Sequence, residues 1–334
     1  MAFVATSAEE RASEAEHDSD AGALDSYRHE LTGFCYRMLG SGGEAEDAVQ
    51  EVMLRAWRGS ASFEGRSSQR SWLYRIATNV CIDMLRGRSR RALPIGLGAP
   101  SPPDADLLGP ELPEHAWVSP VPDAAVLPPG ADPAEVLVER ETIRLAFVTA
   151  LQQLPPRQRA VLLLSQVLRF EAAEIASQLD STVAAVNSAL QRARATLAAL
   201  PTTQRPADVG AGQAELLARY VDAFERYDID AFVGLLHADA IQSMPPVAMW
   251  MRGAGHIGAW MLGPGAGCRN SRLIPTAANG APAFGQYRPD PAGGHSPWSL
   301  HVLEIRAGRI AGITYFLDTD RVFPLFGLPA RFPA

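Results

Sequence analysis

The 334-residue sequence contains no lysine: all 30 of its basic residues are arginine. Any anion it binds is therefore met by planar guanidinium forks rather than by flexible ammonium groups. Only three cysteines occur, Cys35, Cys81 and Cys268, far apart and without a CxxC spacing. That argues against a disulfide framework and against a thiolate metal site, and it suits a reducing compartment. No apolar run approaches the ~20 residues needed to span a bilayer. The N-terminus is acidic and lacks the basic-then-apolar order of a secretory leader. A cytoplasmic protein with no membrane partner is expected, and no residue pattern demands a metal or other cofactor. The net charge of −7 excludes an overall basic nucleic-acid binder, although it leaves room for a local basic surface.

Composition divides the chain. Residues 1–22 are polar and acidic and read as disordered. Residues 23–91 read as helical. Residues 92–134 hold eleven prolines, and from Ala92 to Glu139 there are eight acidic residues and no arginine. Such a stretch cannot be helical throughout and reads as an acidic linker. Helical patterning resumes over 135–200. A second, short linker covers 201–210, and 211–334 starts with helices and ends with strands, an α+β pattern.

Within the first helical block, Ala45, Ala48, Val49, Val52 and Ala56 recur at 3/4 spacing and predict one buried stripe, leaving Asp47, Gln50 and Glu51 mainly outside it. After a turn-like stretch over 59–71, Trp72, Leu73, Ile76, Val80 and Met84 predict a second helix. Between Gly65 and Arg91 lie seven arginines against the single acid Asp83, a local charge of +6. A basic helix end beside aromatic side chains suits phosphate contact with base stacking, and exceeds what a helix dipole alone requires.

In the second block one amphipathic helix is predicted over 141–154, ended by Leu154-Pro155-Pro156, followed by helices over 157–168 and 171–179. A tight turn at Asp180-Ser181 leads to a last helix from Thr182 to about Leu200, which Ser181 can cap. Val183, Val186, Leu190, Ala193 and Leu197 step 3, 4, 3, 4 as its buried stripe. Two short helices joined by a tight turn, the second with small polar residues early and arginine later, is the helix-turn-helix layout, in which early positions reach base edges and later ones hold phosphates. An ordinary helical hairpin has the same spacing.

Taken together, EDAVQEVMLRAW (46–57), RSWLYRIATNVCIDMLRGRSRR (70–91) and the 154–197 stretch beginning LPPRQRAVLLL resemble, in order, the three signature segments of extracytoplasmic-function sigma factors of the sigma-70 family. The resemblance implies two all-α domains, sigma region 2 over 23–91 and a helix-turn-helix sigma region 4 over 135–200. It implies core RNA polymerase (β′ clamp and β flap) and promoter DNA as partners, a linker that threads the polymerase channel, and no catalytic turnover. By the same resemblance, Asp47, Gln50 and Glu51 contact core polymerase. Phe63 and Gln69 lie in the loop that holds a flipped −10 base, and Arg75, Asn79, Arg86 and Arg88 contact the −10 strand. Thr182, Asn187, Ser188, Gln191, Arg192 and Arg194 contact the −35 duplex. Asn187 and Ala189 stand where the family often has basic residues, which implies weaker phosphate anchoring or a different −35 preference. Asp180 stands where it usually has glycine, a mild change because Asp tolerates left-handed backbone.

Residues 211–334 resemble the cone-shaped SnoaL-like (NTF2-like) domain, an α+β fold, through the run MPPVAMWMRGAGHIGAWM (244–261) and the helices-then-sheet order. Such a cone implies a pocket, with Trp250, His256, Trp260, His301, Tyr315 and Asp318 as its candidate lining and a small-molecule ligand as a candidate partner. An anti-sigma protein is a further candidate. The domain is expected to modulate activity. Its apolar tail over 322–332 is expected either to close the cone or to dock on the helical domains. Two alternatives remain at this point: an isomerase- or cyclase-like enzyme in 211–334, and a conventional repressor or activator using 154–200 alone.

Overall fold

The computed structural model describes residues 24–60, 68–127, 132–200 and 212–332, the side chains of 133–135 excepted. The N-terminal 22 residues, the 201–210 linker and Phe63 lie outside the described residues.

Three helices build the first unit: α1 (Arg28–Leu39), α2 (Gly42–Gly59) and α3 (Gln69–Met84). The chain leaves α1 through Gly40, whose φ of 72° is left-handed backbone that glycine adopts without strain. Ser41 then caps α2 by accepting from the Glu44 amide at 3.4 Å. The predicted stripe Ala45, Ala48, Val49, Val52 and Ala56 is wholly buried. Ser68 caps α3, which starts three residues before the sequence pattern suggests.

The acidic linker is ordered over most of its length. Its prolines permit only short 3₁₀ turns at Pro94–Gly96, Ala105–Leu107 and Glu114–Ala116, and one helical turn, α4 (Asp123–Val126). Its backbone groups find partners outside itself. Ser119 N–H donates to the Gly40 carbonyl at 3.0 Å, Leu112 N–H to Pro246 at 2.9 Å and Ser101 N–H to Trp250 at 2.8 Å. The linker is thus pinned between the first helical unit and the C-terminal domain.

The second helical unit departs from expectation in three places. The helix predicted over 141–154 is two, α5 (Pro133–Ile143) and α6 (Leu145–Leu151), broken at Arg144, whose ψ of 141° is extended. The helix predicted over 157–168 is α7 (Pro156–Leu162), which widens into a π-helical turn over Leu163–Val167. After α8 (Ala172–Gln178), the cap of α9 (Val183–Ala198) is Thr182, not Ser181: the Thr182 hydroxyl accepts from the Ala185 amide at 3.2 Å. Asp180 takes the left-handed φ of 45° that the tight turn needs. Val183 is exposed, because it lies in the first turn of α9 beyond the reach of the core.

Buried side chains from α1, α2 and α3 and from α5 through α9 belong to one continuous core. The Tyr74 ring meets Phe34 edge-on at 5.3 Å and Phe170 at 5.5 Å, joining the two units.

The C-terminal domain packs α10 (Gln213–Glu225), α11 (Ile229–Gly234) and α12 (Ala254–Leu262) into the concave face of a six-stranded sheet. Its strands are β1 (Leu236–Ser243), β2 (Trp250–Arg252), β3 (Arg272–Ala278), β4 (Ala281–Pro289), β5 (His295–Arg306) and β6 (Arg309–Phe316), in spatial order β2-β1-β6-β5-β4-β3. β1 and β6 run parallel and every other pair is antiparallel. The tail helix α13 (Thr319–Leu325) covers the other face, where Phe323 and Phe332 meet Tyr287 at 5.2 and 5.5 Å. The tail thus packs on the outer face of the sheet rather than closing the cone, and Leu325 reaches the helical half at the start of α2, beside Gly42. Among the described residues no helix is long and apolar enough to cross a membrane.

Candidate functional site

The outward face of α2 carries Asp47 and Gln50 in solvent, while Glu51 is half-buried and bound to Arg55 at 2.6 Å. The same face exposes two large apolar side chains, Leu54 at 47% and Trp57 at 53%. Positions 47, 50, 54 and 57 step 3, 4, 3, so they form a second stripe opposite the buried one. Leu54 and Trp57 were missing from the sequence-based set, although that spacing was available to find them. These two apolar side chains stand in solvent on a helix whose opposite face is already filled by the core.

On α3, Gln69 is half-buried and Arg75 and Asn79 are exposed. Arg86 follows in solvent and pairs with Asp83 at 3.3 Å. Arg88 is exposed and shares one Glu44 oxygen with Arg91, each at 2.6 Å, so a single carboxylate of α2 serves two guanidinium groups. Arg75 reaches Asp180, in the turn of the helix-turn-helix, at 3.7 Å, and the buried Gln178 amide donates to the Ser71 hydroxyl at 2.9 Å. Arg70 lies over the Tyr74 and Phe170 rings at 5.2 and 4.9 Å. The turn before α9 therefore leans on α3.

All six expected −35 residues, Thr182, Asn187, Ser188, Gln191, Arg192 and Arg194, are exposed on α9. Thr182 spends its hydroxyl on the cap, and Arg192 donates to Ser188 at 2.5 Å. Asn187, Ser188 and Gln191 share one outward patch with the side chains and spacing that base-edge readout needs.

The cone interior does not gather the six side chains expected to line a pocket. His256 is exposed on α12 and bonds the Arg252 carbonyl at 3.1 Å. Asp318 is exposed where the chain enters α13. Each sits at a helix N-terminal edge that the sheet does not cover. Trp250 donates to the Gly98 carbonyl of the linker at 2.9 Å, and Trp260 packs into the core. Only His301 and Tyr315 meet, at 4.5 Å between ring centres. His301 is fully buried; its Nδ1 is 2.8 Å from the Tyr220 hydroxyl and its Nε2 2.9 Å from Gln286 Oε1. Gln286 Oε1 can only accept, so Nε2 carries the proton and Nδ1 accepts from Tyr220.

Burial pushes the His301 imidazole down to about 3. The native state therefore binds fewer protons than the unfolded chain below the ordinary histidine value. This contribution to stability is complete above about pH 6.5 and is lost as pH falls toward 3, at up to about 1.4 kcal/mol per pH unit. His301→Gln is expected to flatten that part of the stability–pH curve, as urea unfolding at pH 4, 5 and 7 would show. Equal slopes in the two proteins would refute it.

The two halves meet at the β3–β4 hairpin tip. Asn279 has a φ of 56° and Gly280 one of 69°, the pairing of a tight two-residue turn. The Asn279 amide donates to the Tyr36 hydroxyl of α1 at 2.6 Å and to the Ile143 carbonyl of α5 at 2.7 Å. Its Oδ1 accepts from Val121 N–H at 3.2 Å. Gly280 N–H donates to Asp123 at 2.7 Å. A Cβ on Gly280 would come within 2.8 Å of the Arg140 carbonyl, so only glycine fits. Nothing in the sequence singled this residue out, beyond the turn-forming Asn-Gly pair itself.

Two sigma-70 families match the helical half: "Sigma-70 region 2" over residues 23–91 and "Sigma-70, region 4" over 144–205. The chain belongs to the extracytoplasmic-function sigma factors, the subunits that direct RNA polymerase to particular promoters. Over 318 residues it is 48% identical to the sigma factor SigG of Mycobacterium tuberculosis, covering 91% of this chain and 82% of that protein. It is 30% identical to SigW of Bacillus subtilis over 187 residues, 54% of this chain and 88% of that one. The crystal structure of the M. tuberculosis extracytoplasmic-function sigma factor SigJ has the same overall fold, with a TM-score of 0.58 at 22% identity over 94% of this chain and 99% of that one.

Proposed function

We propose that this sigma factor carries its own restraint. The α2 stripe of Asp47, Gln50, Leu54 and Trp57 docks on core polymerase, with Glu51 at its margin. The α3 helix, with Gln69, Arg75, Asn79 and Arg86, reads the −10 element, and the outward patch of α9 reads the −35 element. The C-terminal domain holds the two readers together through the hairpin tip. The observation that carries this reading is Asn279, which bonds α1, the linker and α5 at once. The Arg75–Asp180 pair supports it, because it sets a carboxylate against a cation assigned to the −10 strand.

The cone interior is read as structural rather than catalytic. His301, the one candidate base at its centre, is fully buried and bonded on both ring nitrogens, whereas a general base must reach the proton it removes.

The test is promoter-directed transcription with purified core polymerase, comparing the full chain with one ending near Leu200. Higher output from the shorter chain is expected. Equal output, with equal core affinity and promoter choice, would sink the restraint. Trp57→Ala is expected to weaken core binding at least tenfold while leaving the unfolding midpoint within a degree or two, because a half-exposed side chain contributes little to folding. Fluorescence anisotropy titration with core polymerase checks it, and unchanged affinity would remove Trp57 from the docking face.

A further inference from the structure

A cavity of about 280 Å³ lies where the two helical units and the linker meet. Its wall includes Arg88, Arg90 and Arg91 from the segment after α3, Glu44 from α2, and Gln152 and Arg159 from the second unit. Four guanidinium groups face one carboxylate in a chain whose net charge is −7. Glu44 cannot balance them: Arg88 and Arg91 already share its Oε1, and its Oε2 is buried without a donor. Arg159 is 3% exposed; it donates to the Met38 carbonyl, to Gln152 Oε1 at 2.6 Å and to the Leu154 carbonyl at 3.1 Å. Its Nε remains buried with no acceptor. None of those partners is an anion, and burial together with the nearby Arg90 charge lowers its pKa to about 10, against a favourable pull from Cys81. Arg90 is exposed and makes no ion pair among the described residues.

We infer that this cavity binds a small, multiply charged phosphate compound that bridges the two helical units. An uncompensated cluster of cations raises the local concentration of anions, and guanidinium forks match phosphate oxygens. The charged oxygens of such a compound meet the guanidinium groups that line the cavity. Sulfate carries two negative charges, fewer than pyrophosphate near neutral pH, and is held less tightly by the same cluster. Duplex DNA is the less suitable occupant, because Arg159 at the floor lies beyond the reach of a continuous backbone.

The test uses the full chain and inorganic pyrophosphate, with sodium sulfate at matched ionic strength as control, read by isothermal titration and thermal shift. Saturable one-site binding of pyrophosphate, tighter than that of sulfate, is expected, with a rise in the unfolding midpoint. Arg90→Ala, which removes an exposed side chain, should leave the ligand-free midpoint unchanged and weaken pyrophosphate at least tenfold. The proposal is overturned by binding that does not saturate, by equal binding of sulfate, or by unchanged affinity in Arg90→Ala. It is overturned equally if the free chain has no pyrophosphate site while the Arg90→Ala holoenzyme loses promoter affinity, which would give Arg90 to DNA and leave the sigma reading intact.

Discussion

Asn279→Ala should release the C-terminal domain from the helical half, at a cost of about 3–5 kcal/mol to their docking. The variant strands the Ile143 carbonyl, the Val121 amide and one bond of the Tyr36 hydroxyl in a junction where Asn279 is 1% exposed. Each buried group left unpaired costs about 1–3 kcal/mol. Alanine at a φ of 56° adds about 1–2 kcal/mol, because its Cβ crowds the following carbonyl. Two amides report the event directly, Val121 N–H and Gly280 N–H, both of which donate across the junction. Their hydrogen exchange is expected to accelerate by two orders of magnitude or more, and promoter output with core polymerase to rise. Asn279→Gly keeps the turn geometry and should cost about 1 kcal/mol less. Unchanged exchange at both amides would dismiss the junction as a lock.

Tyr74→Ala is expected to destabilise the helical half by about 3–5 kcal/mol, the range for truncating a buried aromatic side chain. The ring is fully buried between Phe34 and Phe170 and carries the Arg70 guanidinium on its face. Tyr74→Phe keeps the packing and loses only the hydroxyl bond to Glu30 at 3.1 Å, so about 1 kcal/mol is expected. The informative measurement is a double-mutant cycle by urea unfolding with Phe170→Ala. Because the two rings touch, a coupling of about 1 kcal/mol or more is expected. Strict additivity would mean that the two helical units do not share a core in solution.

Much of the helical half was readable because helix burial has a period. The stripe from Ala45 to Ala56 and the exposed patch at 187, 188 and 191 follow from spacing alone. The break at Arg144 and the π-helical turn at Leu163–Val167 were not readable, since neither is marked by a glycine or an internal proline. The linker misled for a different reason. Its prolines correctly rule out long helices, but composition says nothing about whether an extended segment finds a partner, and here the partners lie at Gly40, Pro246 and Trp250. In the cone, residue type suggested a pocket that geometry divides. His256 and Asp318 point to solvent, while His301 closes a buried hydrogen-bonded chain with Tyr220 and Gln286. Arg159 and Arg37 were invisible as core residues because a buried arginine depends on which acceptors surround it, and these include the Met38 carbonyl for Arg159 and the Glu139 carboxylate and Thr142 hydroxyl for Arg37, all more than a hundred residues away in sequence.

The hairpin tip has a consequence for timing. Ribosomes add residues from the N-terminus, so both DNA-reading units are complete by Leu200 while Asn279 and Gly280 are still to be made. At about 5–20 residues per second, that gap of roughly 80 residues lasts about 4–16 s. For that interval a nascent chain has its polymerase-docking stripe and both reading helices but no clasp. On the proposed restraint, every molecule passes through an unrestrained form once, at birth, before the last strands form and the tip engages α1, the linker and α5.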